Sequence, residues 1–139
     1  MSLIAEDTAV IAKTRELCAE IVADPNFLRL QADVERFLQD EGAKLQYQSV
    51  HERGEELNHK QRAGIELGAV EIREFEAARD ALLANDVARD FLSAQRELES
   101  LQKEIGKYIG MTLELGRVPT EEDIAEASQG GCCGGGCGC

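Results

Sequence analysis

Large aromatic anchors are scarce in this chain. Tryptophan is absent, and the 139 residues include only four Phe and two Tyr, so any core is built mostly from Leu, Ile, Val and Ala. Proline is nearly absent too. Pro25 and Pro119 are the two that occur, which favours long helices, since proline removes a backbone donor and clashes within a helix. No apolar run approaches the roughly 18 residues that a membrane helix needs. Met1 to Asp7 shows no cationic region followed by an apolar stretch, so no signal peptide is expected. A cytoplasmic protein is the reading these absences support. A basic patch is missing as well. Acidic residues number 27 against 15 Lys and Arg, for a net charge of −12, and the excess runs through every part of the chain. A direct electrostatic grip on nucleic-acid phosphates is therefore not indicated. Such a surface suits solubility or a basic protein partner.

Catalytic signatures are also lacking. There is no Gly-x-x-x-x-Gly-Lys loop, no Gly-x-Gly-x-x-Gly fingerprint after a strand, and no recognisable Ser-His-Asp set. Nothing supplies a general base beside a nucleophile, so the chain is not expected to be an enzyme. Glu56-Leu57-Asn58-His59 matches the Glu-x-x-His pattern of di-iron bundles. Those bundles need two such motifs and two further glutamates, and the residue three before His51 is Gln48. His51 and His59 lie about 12 Å apart along a helix, too far to share an ion. Both read as solvated helix surface.

Cysteine is where the chain is rich. Of five cysteines, Cys132, Cys133, Cys137 and Cys139 fall within the last eight residues, separated only by glycine. Glycine loses the most entropy on ordering and has no side chain to bury, so the segment from residue 130 to 139 reads as a disordered tail unless a ligand compensates. In the reducing cytosol such a cluster suggests metal binding before disulfides. Four thiolates suit an iron–sulfur cluster, zinc or copper(I), and a tetrahedral zinc site fits the ligand count equally well. Neighbouring cysteines diverge on one small ion, and a multi-iron cluster or ligands drawn from two subunits relieves that. A bare tail without a dedicated metal is the third alternative. Cys18 reads differently: it falls on an apolar helical face with Val10, Ile11, Leu17, Ile21 and Val22, and is expected to be a small buried hydrophobe.

The periodicity predicts an all-α fold. A first helix runs over about 8–24, capped by Asp7 or Thr8. Asp24-Pro25-Asn26 breaks it and starts a second over about 26–40. A softer break at Asp40-Glu41-Gly42 leads into a third, apolar-poor helix to about 64. Gly64 and Gly68 bracket a turn before a fourth helix over about 69–84, and Asn85-Asp86 punctuates it. The fifth, over about 86–111, places Val87, Phe91, Ala94, Leu98, Leu101, Ile105 and Tyr108 at alternating spacings of four and three, a heptad seam. Gly110 and Gly116 are expected to loosen its end. A short acidic helix begins after Pro119, with Thr120 and Asp123 in capping-box register. The architecture is a long antiparallel helical hairpin or bundle, with arms over 26–64 and 69–111 of about 60 Å each at 1.5 Å per residue and an extra N-terminal helix. So long a hairpin buries little, and association with further subunits is the natural way to cover its seams.

The sequence resembles the YlbF/YmcA family of bacterial regulators over roughly residues 8–110. The resemblance is carried by Arg15-Glu16-Leu17 and Ile21, then Asp24-Pro25-Asn26-Phe27. It continues through Asp40-Glu41-Gly42-Ala43 and the Gln-rich stretch to Gly64. Leu83-Ala84-Asn85-Asp86-Val87-Ala88, Phe91, Leu98 and Ile109 complete it. It implies a non-enzymatic, all-helical, self-associating regulator. It further implies a complex with related helical subunits and a YaaT-like protein, bearing iron–sulfur clusters on cysteines and tied to ribonuclease Y and messenger RNA maturation. Some members end in cysteine-rich tails, which Cys132, Cys133, Cys137 and Cys139 match in position and character. Their Cys-Cys-x3-Cys-x-Cys spacing differs from ferredoxin spacings and leaves cluster type and stoichiometry open; an iron–sulfur cluster, [4Fe–4S] and shared between subunits, is one candidate and zinc the alternative.

The organisation expected is a helical domain over 1–112, a linker with a short acidic helix over 113–129, and a Gly/Cys-rich metal-binding tail over 130–139. Two functions stay in view. One is a regulatory adaptor whose arms bind proteins and whose tail carries a redox-sensitive metal site. The other is a protein that stores or delivers a thiophilic metal.

Overall fold

A computed structural model of the chain describes residues 3–5 and 8–129. Among them the protein is all-α, with helices α1 (Ala9–Ala23), α2 (Pro25–Gln39), α3 (Glu41–Arg62), α4 (Ala69–Ala84), α5 (Asp86–Leu115) and α6 (Glu121–Gln129) and no strand. None of these helices is long and apolar enough to cross a membrane. Two compact units divide at Arg96, within α5.

The breaks between helices are made by short polar side chains. Asp24 holds an extended backbone, accepts from the Asn26 N–H at 2.8 Å, and precedes Pro25 at the first helical position of α2. Proline fits there because its missing N–H would have no helical acceptor. Asp40 and Asn85 repeat the device. Asp40 Oδ1 accepts from the Ala43 N–H at 2.9 Å. Asn85 Oδ1 accepts from the N–H groups of Val87 and Ala88 at 3.0 and 3.3 Å. Each cap satisfies helix donors that have no carbonyl four residues earlier.

In the first unit, α3 packs on α4 and α2 reaches α5, so the chain doubles back as an interrupted antiparallel hairpin. Its core lies where the two breaks come together. Phe37, Ala43, Leu82, Ala88 and Phe91 form one cluster, flanked by Val34, Tyr47, Val50, Val87 and Leu92. The Phe37 and Phe91 rings stack with centroids 3.8 Å apart, and Tyr47 sets its edge against both, at 5.7 and 5.9 Å. Edge-to-face and stacked pairs suit the ring quadrupoles and add about 0.5–1.5 kcal/mol each beyond burial. Ala43 and Ala88 are fully buried, and each is a residue whose N–H is capped by a break residue. A side chain larger than methyl at either position would push the arms apart. Asn85 also reaches across, donating from Nδ2 to Gln46 Oε1 at 2.9 Å.

Nearer the turn, α3 has few apolar residues and meets α4 along a narrow seam. Gly54 faces the Phe75 ring so closely that a Cβ there would sit 3.2 Å from it. Arg53 pairs with Glu74 at 2.8 Å, and Lys60 with Glu71. That last hydrogen bond raises the Lys60 pKa and lowers that of Glu71. Pairs this near the surface add little to stability.

Two expectations need correction. Cys18 is exposed, and α1 has no buried residue. The apolar face of α1 is real as a pattern, but no described element covers it at Cys18. Gly110 does not loosen α5, which continues to Leu115 and stops at Gly116, whose φ is +70°. An internal glycine costs a helix only about 1 kcal/mol, whereas the left-handed backbone at Gly116 ends it outright.

Asn85 is the most informative position to test. Asn85→Ala removes two cap bonds and the bond to Gln46, and should cost about 1–2 kcal/mol in urea unfolding. Asn85→Asp keeps the caps and loses only the donor to Gln46, so it should cost less. Equal losses would show that capping is not what Asn85 contributes.

Candidate functional site

The candidate ligands Cys132, Cys133, Cys137 and Cys139 lie outside the described residues. What the structure does place is the segment that leads to them. After Gly116 the chain turns through Pro119 into α6. Thr120 and Asp123 form the capping box that their spacing predicts. The Thr120 N–H donates to Asp123 Oδ2 at 2.7 Å, the Thr120 hydroxyl to the same oxygen at 2.9 Å, and the Asp123 N–H to Thr120 Oγ1 at 3.3 Å. Arg117 adds a two-pronged bond to the same carboxylate, at 2.6 and 3.1 Å. The Arg117 guanidinium, then the Thr120 N–H and hydroxyl, hold the Asp123 carboxyl well below the usual carboxylate range. The guanidinium pKa is raised in return.

The far end of α6 is tied back to α5. Lys107 Nζ donates to the Ile124 carbonyl at 3.3 Å and to Ser128 Oγ at 2.6 Å, while the Ser128 hydroxyl donates to the Ile124 carbonyl at 2.9 Å. Glu121, Glu122 and Asp123 occupy the first turn of α6, where they complement the positive end of the helix dipole; the Lys107 ammonium complements the negative end. Thus α6 runs back along α5, fixed at both ends, and its last residue, Gln129, immediately precedes the glycine–cysteine segment.

Elsewhere the described residues bring no metal-ligating set together. No group of three or more His, Cys, Asp or Glu side chains among them is placed to hold an ion. His59 shares a shallow surface pocket of about 230 Å³ with Glu55, Asn58 and Arg62. His51 lies 3.5 Å from Glu55 on the same exposed helix face. Both histidines are thus the surface residues that their spacing suggests. A larger cleft of about 340 Å³ is lined by Tyr47, Val50, His51, Arg79, Leu82, Leu83, Leu92 and Arg96. It joins two arms, so no local motif announced it. It is open on one side, unlike pockets that enclose most of a small ligand.

A helical hairpin with a small core, capped breaks and many exposed apolar side chains defines an all-α protein. The chain belongs to the YlbF/YmcA family: the family model described as "Control of competence regulator ComK, YlbF/YmcA" matches residues 10–114. That description is of a regulator. The match spans α1 to α4 and nearly all of α5, and ends before α6 and the cysteines. Neither the curated proteins nor the solved structures compared with the chain gave a match.

The lowered pKa of Asp123 gives α6 a definite pH dependence. Its contribution is fully present above the unfolded carboxylate value of about 3.9 and is lost as pH falls through the lower folded value. Amide protection of residues 124–128 should be flat from neutrality down to that range and drop below it. In Asp123→Ala it should be weak at neutral pH already. Protection that is unchanged by the substitution would show that the Asp123 box does not hold α6.

Proposed function

We propose that the protein is a non-enzymatic adaptor subunit in cytoplasmic regulation, with Cys132, Cys133, Cys137 and Cys139 as thiolate ligands of an iron–sulfur cluster shared between subunits. The observation that carries the reading is the placement of four thiols in eight residues immediately beyond an anchored helix. Membership in a family described as competence regulators supports the regulatory half. The position of the cysteines beyond the family match supports treating the tail as a separate module.

The donor set suits the group. Soft thiolates select iron–sulfur clusters and thiophilic metals, and structural ligation of this kind supplies on the order of 10 kcal/mol of coupled ordering energy. That is comparable with the cost of ordering a short glycine-rich segment at about 1–2 kcal/mol per residue. The chain's own residues do the rest. The glycines let the backbone wrap closely. Lys107, Arg117 and Asp123 fix α6, so each tail starts from a defined point. Cys132, Cys133, Cys137 and Cys139 of two or more chains would hold the metal, which would tie the subunits together while bound. Regulation is then conditional assembly. The arms supply protein-binding surface, with related helical subunits, a YaaT-like protein and ribonuclease Y as the partners that the family resemblance proposes.

The test is metal analysis of protein purified without oxygen. Iron and acid-labile sulfide in comparable amounts, with visible absorption, are expected for the native chain. All should vanish when the four tail cysteines become serine, together with part of the oligomer. Zinc without sulfide, readily transferred to a chelator and with no effect on assembly, would instead identify a metal store or carrier. A colourless, metal-free native chain with the same oligomeric state as the serine variant would sink the proposal.

A further inference from the structure

The cleft of about 340 Å³ in the first unit has no part in the metal-binding tail. Tyr47 and Val50 of α3, Leu83 of α4 and Leu92 of α5 give it an apolar lining, and Arg79 of α4 and Arg96 of α5 bring two cations to it. The helices α4 and α5 line it from either side of the break at Asn85. Arg36, Arg53, Arg89 and Arg117 each pair with a carboxylate of this chain. The two cleft arginines do not. Among the described residues Arg79 meets the Phe75 ring, 5.9 Å from its centroid, and Arg96 has no ion pair. His51, also at the cleft, stacks on Tyr47 and lies 3.5 Å from Glu55, so any charge it carries is already matched. In a chain of 27 acidic residues, two guanidiniums without a carboxylate beside one apolar cleft make a local positive site.

We propose that this cleft docks an acidic segment of a partner protein, which seats an apolar side chain among Tyr47, Val50, Leu83 and Leu92 and sets carboxylates on Arg79 and Arg96. Guanidinium is the cation suited to this, because its fork of donors matches a carboxylate. Arginine clusters are a recurring means of recognising acidic motifs. The half-open shape suits a side chain offered from a larger body, whereas a small ligand is usually enclosed. Two arginines with no basic track beyond them neutralise too few phosphates for a nucleic acid. The net charge of −12 does not oppose the contact, since charges more than about 8 Å away are largely screened at physiological salt. It sharpens the contact instead: an acidic segment is repelled elsewhere on the surface and accepted at the cleft. The overall charge favours a basic partner, and the cleft reverses that preference locally.

The proposal rests on the adaptor reading of the arms and deepens it by naming the chemistry of a partner. It does not need the metal. Peptide binding should therefore be the same in the native chain and in the chain with Cys132, Cys133, Cys137 and Cys139 replaced by serine, which separates failure here from failure of the cluster reading.

The probe is a fluorescent peptide of about a dozen residues, with two leucines one helical turn apart among glutamates. Fluorescence anisotropy with the full-length chain should show saturable binding at one peptide per chain. A twin with glutamine for every glutamate should bind at least about tenfold more weakly, and a lysine twin should not bind. Arg79→Glu and Arg96→Glu should each weaken the acidic peptide by about tenfold, with helicity unchanged. Lys103→Glu makes the same change in net charge on the other unit and should leave binding unaltered. Leu83, 42% exposed and so not needed for the core, tests the apolar half: Leu83→Ser should weaken the peptide with the fold intact. No saturable binding, equal binding of the glutamine twin, or equal loss in Lys103→Glu would overturn the proposal. So would binding of dodecanoate at the arginines without the peptide, which would mark a small-molecule site. Release of one copy of the chain from another as the peptide binds would assign the cleft to self-association and overturn it too.

Discussion

Phe37 and Phe91 lie ring against ring at 3.8 Å between centroids, on α2 and α5. They join parts of the chain that local sequence cannot connect. Around that stack the rest of the first unit falls into place. Tyr47 closes the ring cluster from α3, and Leu82 fills it from α4. Ala43 and Ala88 let the arms approach because neither carries more than a methyl. The caps at Asp40 and Asn85 matter because they start α3 and α5 beside this cluster. Beyond this cluster the arms meet at the Gly54–Phe75 seam, the Asn85–Gln46 bond and exposed ion pairs such as Arg36 with Asp90 at 3.5 Å, and each such pair contributes at most about 1 kcal/mol.

The smallness of this core has a functional side. Among the described residues the buried ones are three alanines, two leucines and two phenylalanines, a modest store of apolar burial. Many other apolar side chains remain exposed, among them Leu38, Leu45, Val70 and Leu113. A protein built this way keeps surface for other chains, which suits a family described as regulators. Stability and recognition are then linked. Covering an exposed seam with a partner adds the burial that the isolated chain lacks.

The sequence was most legible where structure is made by neighbours. Asp24-Pro25, Asp40, Asn85 and the Thr120–Asp123 box each act over two to three residues, so the helix boundaries could be read directly. Gly110 misled because an isolated glycine weakens a helix without ending it; only the backbone at Gly116 shows which glycine stops α5. Cys18 misled for a different reason. Periodicity shows which residues share a face, not whether anything covers that face. The Phe37–Phe91 stack, the Gln46–Asn85 bond and the Lys107 bond to Ser128 were hidden, since each depends on how distant helices meet. The four tail cysteines lie outside the described residues, and their reading as soft-metal ligands stands on the sequence alone.

In the function proposed above, a helical frame carries a cysteine-rich tail and one metal centre takes thiolates from more than one chain. Native mass spectrometry of the oxygen-free full-length protein measures this directly. The account predicts a species whose mass equals at least two chains plus one cluster, collapsing to metal-free smaller species on exposure to air. A cluster or ion carried by single chains, with no change in subunit number when it is lost, would contradict it.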